Sequence, residues 1–360
     1  MRTVEAVTAH SPVVSKRVGT SGSLRFDWAM AGFGILLIGG VFLDGWAHIQ
    51  RDIPDTPFTP WHAVLYSGFL AGALFLANAA RKNLARGLPL RRVVPAGYEL
   101  SLLGAAIFAL GGIGDMAWHF AFGIETGVDA LYSPTHLALA LGGILMASGP
   151  LRSAWRREDR ESAPGWAGKL PMLLSLTTVL SSFTFFTLVA HPFVTPQAGG
   201  AAPRTEDLVL LHQALGVTEI VLQTTILMGL VLLATRRWVL PFGSLTLVFG
   251  LNAVAMHFLD ALNEYQFIPA AVLAGLGADL LYRRLRPGPG AERAGQLRWF
   301  AAAVPALLYL TYFMALLATR GVWWSIHLWT GSIVLAGIVG WLLSYLLAPP
   351  PLPELRPERS

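Results

Sequence analysis

Long apolar stretches alternate with short polar segments along most of this chain of 360 residues. Most of the apolar stretches approach the ~20 residues that a helix needs to cross a lipid bilayer. They predict an all-α, polytopic helical membrane protein with about ten transmembrane helices. The predicted spans are roughly 29–48, 61–80, 96–119, 133–151, 170–191, 207–234, 238–260, 265–284, 299–319 and 323–347.

The polar segments between these spans are too short to form a soluble domain. We therefore expect an N-terminal tail over 1–28, a single transmembrane helical domain over 29–347 and a C-terminal tail over 348–360. The first tail has no apolar stretch or small-residue cleavage site of its own, so it does not resemble a signal peptide.

Composition supports the membrane class and restricts the chemistry. Only 13% of the residues are charged, against about 25% in soluble domains. The chain has no cysteine, which excludes disulfides, thiolate metal sites, iron–sulfur clusters and cysteine nucleophiles. Any bound metal must therefore use imidazole, carboxylate, hydroxyl or carbonyl ligands.

Basic residues fall on one side of the predicted topology. All but three of the 26 lysines and arginines lie in the tails and in alternate connections, the exceptions being Arg51, Arg204 and Arg320. The positive-inside rule then predicts a bacterial cytoplasmic membrane protein with both termini in the cytoplasm. This topology accounts for the net charge of +5, so we expect the lipid bilayer, and no nucleic acid, as a partner.

Histidines concentrate on the opposite, outer side. His10 lies in the N-terminal tail, whereas the other eight lie at or near outer helix ends: His48, His62, His119, His136, His191, His212, His257 and His327.

Two of these histidines end a D-x3-H motif. Asp44 and His48 end the first span, and Asp115 and His119 end the third, with each pair on one helix face.

Each motif is followed by a histidine at the start of the next span. The segment TPWH ends at His62 and SPTH ends at His136, with a proline suited to the first turn of a helix. We interpret D-x3-H-x13-H and D-x3-H-x16-H as a tandem hairpin repeat covering the first four spans.

The repeat predicts a metal site at the outer face. Its expected ligands are Asp44, His48, His62, Asp115, His119 and His136. Further candidate ligands are His191, His212, His257, Asp260 and His327. The two units could hold separate ions or one dinuclear centre, and each aspartate could instead orient its histidine without touching metal. A single D-x3-H motif, by contrast, is usually a local side-chain pair or cap.

Two glutamates are candidate catalytic residues. Glu125 is either a catalytic or bridging carboxylate or a loop charge. Glu219 lies in the middle of a predicted span, where it is either a proton relay or substrate contact, or a buried interhelical hydrogen-bonding group.

Imidazole and carboxylate ligands without sulfur suit transition metals, here copper, non-haem iron or zinc. Paired histidines on adjacent helices could also ligate b-type haem, although the neighbouring aspartates fit haem less well. The H-x3-H boxes of membrane desaturases are absent.

The stretch DMAWHFAFGIETGVDALYSPTHLALALGGILMASGPLR, residues 115–152, resembles uncharacterised multi-pass membrane proteins of bacteria, largely actinobacteria. That resemblance implies no activity. The D-x3-H spacing followed by a further histidine is also similar to the copper ligands in the C subunit of membrane-bound methane and ammonia monooxygenases. Asp44, His48 and His62 match that spacing with one extra residue, and Asp115, His119 and His136 with four.

Several functions fit these patterns. The first is a metal-dependent oxidoreductase, monooxygenase-like, that acts on a small or lipophilic substrate. Alternatives are a metal-dependent hydrolase, a metal-ion or small-solute transporter, and an accessory subunit of a redox complex; homo-oligomers or redox partner subunits are candidate partners. A transporter should carry polar residues through the bilayer, yet the predicted midplane is nearly bare apart from Glu219.

Overall fold

The computed structural model describes residues 23–50, 59–157, 165–287 and 293–349. These ranges contain helices α1 to α12 and no β-strand, which confirms the all-α class. The helices are α1 Leu24–Gln50, α2 Pro60–Ala85, α3 Glu99–Phe122, α4 Val128–Tyr132, α5 Pro134–Ala147, α6 Gly149–Arg156, α7 Gly165–Phe186, α8 Glu206–Arg237, α9 Ser244–Leu259, α10 Phe267–Leu285, α11 Ala294–Thr319 and α12 Ile326–Leu347. Most of both predicted tails lies outside the described residues.

The number of membrane spans is smaller than the sequence pattern predicts. Each of the ten predicted stretches contains a helix, but only seven helices of the described ranges are long and apolar enough to cross a membrane. Helices α5 and α6 meet at a bend of 41° and make an eighth span if they are counted together. Helix α9 has only 16 residues, and α10 carries Asp279, Arg283 and Arg284 near its end. An apolar stretch in the sequence therefore does not guarantee a helix of full bilayer length.

Antiparallel hairpins are packed closely at glycines. In the α1–α2 pair, a Cβ on Gly40 would lie 2.5 Å from Leu65 Cα. In the α3–α5 pair, a Cβ on Gly142 would lie 2.7 Å from the backbone nitrogen of Phe108. Small residues at such crossings let helix backbones approach each other in membranes.

Helix α7 lies centrally and joins the two halves of the bundle. It packs against α1, α5 and α6 on one side and against α8 and α9 on the other. Phe185, at its end, contacts Phe42 of α1 with ring centroids 5.1 Å apart. Helix α1 also packs against α9, so α7 and α1 together set the relative positions of the two halves.

The C-terminal ends of α1, α3, α7, α9 and α11 lie on one side of the bundle, which we call the histidine face. Gln50 Nε2 donates to the carbonyl oxygen of Leu259 at 3.2 Å, and the Tyr132 hydroxyl donates to that of Phe186 at 2.7 Å. All eight histidines outside the N-terminal tail lie at, or within two turns of, helix ends on this face. The histidines therefore share one side of the bundle, as predicted. That this side faces away from the cytoplasm remains a prediction.

Candidate metal centre

The second hairpin of the repeat brings three predicted ligands together. Asp115 and His119 lie on one face of the last turns of α3. His136 lies in the first turn of α5, where its backbone N–H donates to the Ser133 hydroxyl at 3.3 Å in an N-terminal cap. Pro134 occupies the first turn of the helix, where a missing N–H costs nothing. Local helix geometry therefore aims all three side chains at the space between α3 and α5.

The Asp115 carboxylate lies between the two imidazoles. Its Oδ2 is 3.2 Å from His119 Nε2, and its Oδ1 is 3.3 Å from His136 Nε2. One ligand atom from each of the three residues falls within 4.8 Å of the others, and all three residues are half-buried. Within the described part of the chain, no other group of three or more histidine and acidic side chains meets this criterion. The group could hold a metal ion.

In each imidazole the outer nitrogen, Nδ1, which is the one not facing Asp115, lies close to a hydrogen-bond acceptor. His136 Nδ1 is 2.5 Å from the carbonyl oxygen of Ala130. His119 Nδ1 is 3.0 Å from Glu125 Oε2 and 3.4 Å from the carbonyl oxygen of Gly123. A carbonyl oxygen can only accept, so an Nδ1 that is hydrogen-bonded to one carries a proton and donates it.

These outer contacts determine what the inner nitrogens offer. A neutral imidazole with its proton on Nδ1 has a lone pair on Nε2. Each Nε2 faces an oxygen of Asp115, and such a contact is favourable when a cation lies between the two atoms, either a proton on Nε2 or a metal ion. Metal-bound histidines usually donate their other N–H to a carboxylate or carbonyl, as His119 and His136 do.

Two residues beyond the predicted ligands support the group. The Thr135 hydroxyl donates to Asp115 Oδ1 at 2.7 Å and fixes the carboxylate. Gly123 has φ of 86°, a conformation that favours glycine, and this turn lets Glu125 reach back to His119. The only sequence signal for Thr135 is its position within the SPTH segment. Glu125 Oε2 thus lies beside the group, 3.0 Å from His119 Nδ1, and its role as a catalytic or bridging carboxylate stays a prediction.

The first hairpin is assembled differently. Asp44 Oδ1 is 3.2 Å from His62 Nε2, which matches the Asp115–His136 contact. His48, however, directs its Nδ1 to the carbonyl oxygen of Asp44 at 2.8 Å, and the same nitrogen is 3.7 Å from Asp44 Oδ2. The two D-x3-H-xn-H units therefore share a backbone plan, but within the described residues the three converging ligand atoms belong to the second unit.

The remaining candidate ligands do not join this group. His212 is half-buried on α8, His327 is exposed on α12, and Asp260 caps the end of α9. His191 and His257 are buried in the second half of the bundle, next to the ring of Phe193. Burial, and then the nearby His257, lower the pKa of His191 to about 3, so this imidazole is neutral at physiological pH.

Glu219 is also remote from the α3–α5 group. It is buried on α8, and its Oε1 accepts a hydrogen bond from Gln197 Nε2 at 3.1 Å.

Comparisons with protein-family models, with curated proteins and with solved structures find no match for the chain. The two resemblances drawn from the sequence are therefore still predictions. The function is therefore inferred from the residues of the candidate metal centre.

Proposed function

We propose that this protein is a metal-dependent membrane oxidoreductase whose metal ion is held by Asp115, His119 and His136. One observation carries the proposal: two Nε2 atoms and a carboxylate converge, and the Nδ1 atom of each imidazole faces a backbone carbonyl oxygen. A metal ion between the three ligands would take the place of the protons that these contacts otherwise need.

The ligand set favours particular metals. Three protein ligands leave coordination positions open, as in catalytic sites and unlike closed structural sites. Two histidines and one carboxylate are typical of non-haem iron(II) oxygenases, and iron is our first candidate. Zinc accepts the same ligands, and copper is suggested by the spacing of the D-x3-H motif. Bound iron would supply oxygen activation and electron transfer.

Groups that contact the three ligands position the imidazole protons and orient the side chains. The carbonyl oxygens of Gly123 and Ala130 accept from the two Nδ1 atoms, and Glu125 Oε2 lies 3.0 Å from His119 Nδ1, so that both Nε2 atoms stay available. Thr135 donates to Asp115 and keeps its carboxylate directed at the histidines. Such contacts behind the ligands determine ligand geometry and basicity.

Apolar side chains beside the site suggest the substrate class. Phe120 and Phe122, which follow His119, are 85% and 72% exposed. Exposed aromatic side chains at the end of a membrane helix suit contact with lipid or with a lipophilic molecule. We therefore propose a lipophilic substrate that enters laterally, and a partner redox subunit that supplies electrons.

The packing of α3 against α5, on the side of the metal centre away from the histidine face, favours an enzyme over a transporter. A Cβ on Gly104 would lie 2.6 Å from Leu145 Cβ and 2.7 Å from the carbonyl oxygen of Gly142. Helices α3 and α5 are in backbone contact there, which leaves no room for a solute between them.

Anaerobic reconstitution tests the proposal. Purified protein is incubated with iron(II), zinc or copper, desalted, and subjected to elemental analysis and to EPR spectroscopy after addition of nitric oxide. We expect about one iron per chain and the high-spin signal of an iron–nitrosyl adduct, since three-ligand sites leave room for a small ligand. Retention of zinc alone would contradict oxidoreductase chemistry, and retention of no metal would contradict the metal centre.

Glu125→Ala should weaken metal binding without abolishing it. Loss of the acceptor frees the His119 ring to rotate and lowers its basicity, and changes of this kind typically cost about 10–100-fold in metal affinity. Asp129→Ala is the matched control, because Asp129 is an exposed carboxylate in the same connection. Competition with a chelating dye measures both dissociation constants. Equal affinities for the two variants would refute the orienting role of Glu125.

A further inference from the structure

Four carboxylate side chains are buried within the described residues, namely Asp27, Glu219, Glu264 and Asp279. Two of them are paired with arginines. Asp27 forms an ion pair with Arg157 and accepts a hydrogen bond from a tyrosine hydroxyl, and Glu264 forms an ion pair with Arg320. The charge of each of these two carboxylates is therefore compensated.

The third carboxylate, Asp279, is stabilised by a helix end. It accepts hydrogen bonds from the backbone N–H groups of Leu245 and Thr246 at 3.1 and 2.9 Å, and from the Thr246 hydroxyl at 2.7 Å. These donors belong to the first turn of α9, where the helix dipole also favours a negative charge.

Glu219 has no comparable compensation. It is 2% exposed, its one hydrogen bond comes from the neutral amide of Gln197, and its Oε2 has no hydrogen-bond partner. An isolated buried carboxylate is costly when ionised and usually becomes neutral instead.

The ionisable groups around Glu219 do not supply a positive charge. Tyr309 and Tyr312 face it from α11, and tyrosine is neutral at physiological pH. Arg320, which also lies near Tyr312, is paired with Glu264. A proton is therefore the simplest cation that can neutralise this carboxylate.

A small cavity, with a mostly apolar lining and a few polar groups, lies one helical turn further along α8. Its volume is about 40 Å³, and its lining includes Gln223, His191, Asn252 and Tyr309. Gln223 directs its amide nitrogen to the Thr187 hydroxyl at 2.9 Å, whereas its buried Oε1 has no hydrogen-bond partner. The cavity is large enough for water, and buried acceptors of this kind are usually satisfied by it.

Two buried histidines lie between the cavity and the histidine face. His257 is 1% exposed and neither of its ring nitrogens has a hydrogen-bond partner, while the neighbouring His191 lines the cavity. His191 belongs to the connection between α7 and α8 on that face.

We propose that Glu219 is an internal proton-binding site, protonated at neutral pH, which exchanges its proton with the histidine face through water in the cavity lined by His191 and Gln223. This site lies in the second half of the bundle and does not depend on the metal centre between α3 and α5.

Infrared spectroscopy of the purified full-length protein tests the proposal. At pH 7 we expect a carbonyl band of a protonated carboxyl group, lost in Glu219→Gln and retained in Glu206→Gln, since Glu206 is exposed in the first turn of the same helix. Gln197→Leu should shift the band, because it removes the donor to Oε1. This second variant keeps the test decisive if Glu219→Gln fails to fold. Absence of the band in wild type, or a band unaffected by both substitutions, would overturn the assignment.

Transfer to heavy water tests the exchange route. In wild type the band should shift rapidly as the carboxyl proton is replaced by deuterium. Ala253 lines the cavity, so Ala253→Leu should fill it and abolish the rapid exchange while retaining the band. Equally fast exchange in this variant would show that the proton takes another route, and would overturn that part of the proposal.

Discussion

Replacing His119 and His136 together with alanine is expected to abolish metal binding. The double variant loses two of three ligands, and Asp115 alone cannot hold a transition-metal ion against a chelator. Elemental analysis of protein reconstituted, desalted and washed with chelator should find about one ion per chain in wild type and background levels in the variant. Equal metal content in the wild type and the variant would contradict the proposed metal site.

The first hairpin supplies the matched control. His48→Ala with His62→Ala removes the same number of imidazoles from the same face, but from a unit in which His48 directs its ring to a backbone carbonyl. We expect this double variant to keep its metal. Loss of metal from both double variants would instead support a shared dinuclear centre. Loss of metal from the control variant alone would indicate that Asp44, His48 and His62 hold the metal instead.

The second large effect is expected at Gly104, far from any ligand. In Gly104→Leu the side chain must enter the contact with α5, where even a Cβ would meet Leu145 and Gly142 at less than 3 Å. Overpacking of this kind typically costs about 1–3 kcal/mol. It should also separate α3 from α5 and so move Asp115 away from His136. Thermal unfolding and the metal dissociation constant should both be impaired.

Gly112→Leu tests whether the effect depends on packing. Gly112 lies on the same helix and closer to the ligands, but no atom lies within 4 Å of the position of a Cβ there. This variant should unfold and bind metal as wild type does. If it behaves like Gly104→Leu, helix propensity or membrane insertion explains the loss. If Gly104→Leu unfolds early but binds metal normally, helix separation does not control the site.

Local patterns predicted much of the site. The fourth residue after an aspartate returns to the same helix face, so Asp115 and His119 had to be neighbours once α3 formed. Likewise, a serine followed by proline had to begin a helix and place His136 in its first turn. These relations depend on bonds within one turn, and sequence spacing determines them.

The difference between the two hairpins could not be predicted in this way. His48 and His119 occupy equivalent positions in the motif, yet His48 Nδ1 lies 2.8 Å from the carbonyl oxygen of Asp44, whereas His119 Nδ1 lies 3.0 Å from Glu125 Oε2. The orientation of an imidazole depends on the acceptor that reaches its outer nitrogen. That acceptor comes from a turn whose path the spacing does not specify.

The number of spans shows the same limit. Apolar runs identify segments that avoid water, but helix ends depend on neighbouring elements, and α9 ends after only 16 residues. Similarly, sequence alone could not separate Glu219 from the other buried carboxylates, because only tertiary packing shows which of them meets an arginine or a helix end.

By itself, the sequence determined the all-α membrane class, the common side of the histidines and the residues that open and close each hairpin. These properties follow from hydropathy and helical periodicity, which act along the chain. Tertiary structure alone decided which ligands converge, which imidazole nitrogens face a carbonyl oxygen and which buried carboxylate of the described residues has no countercharge. Those properties arise from contacts between segments distant in sequence, whose geometry depends on how α3, α5, α7 and α8 pack.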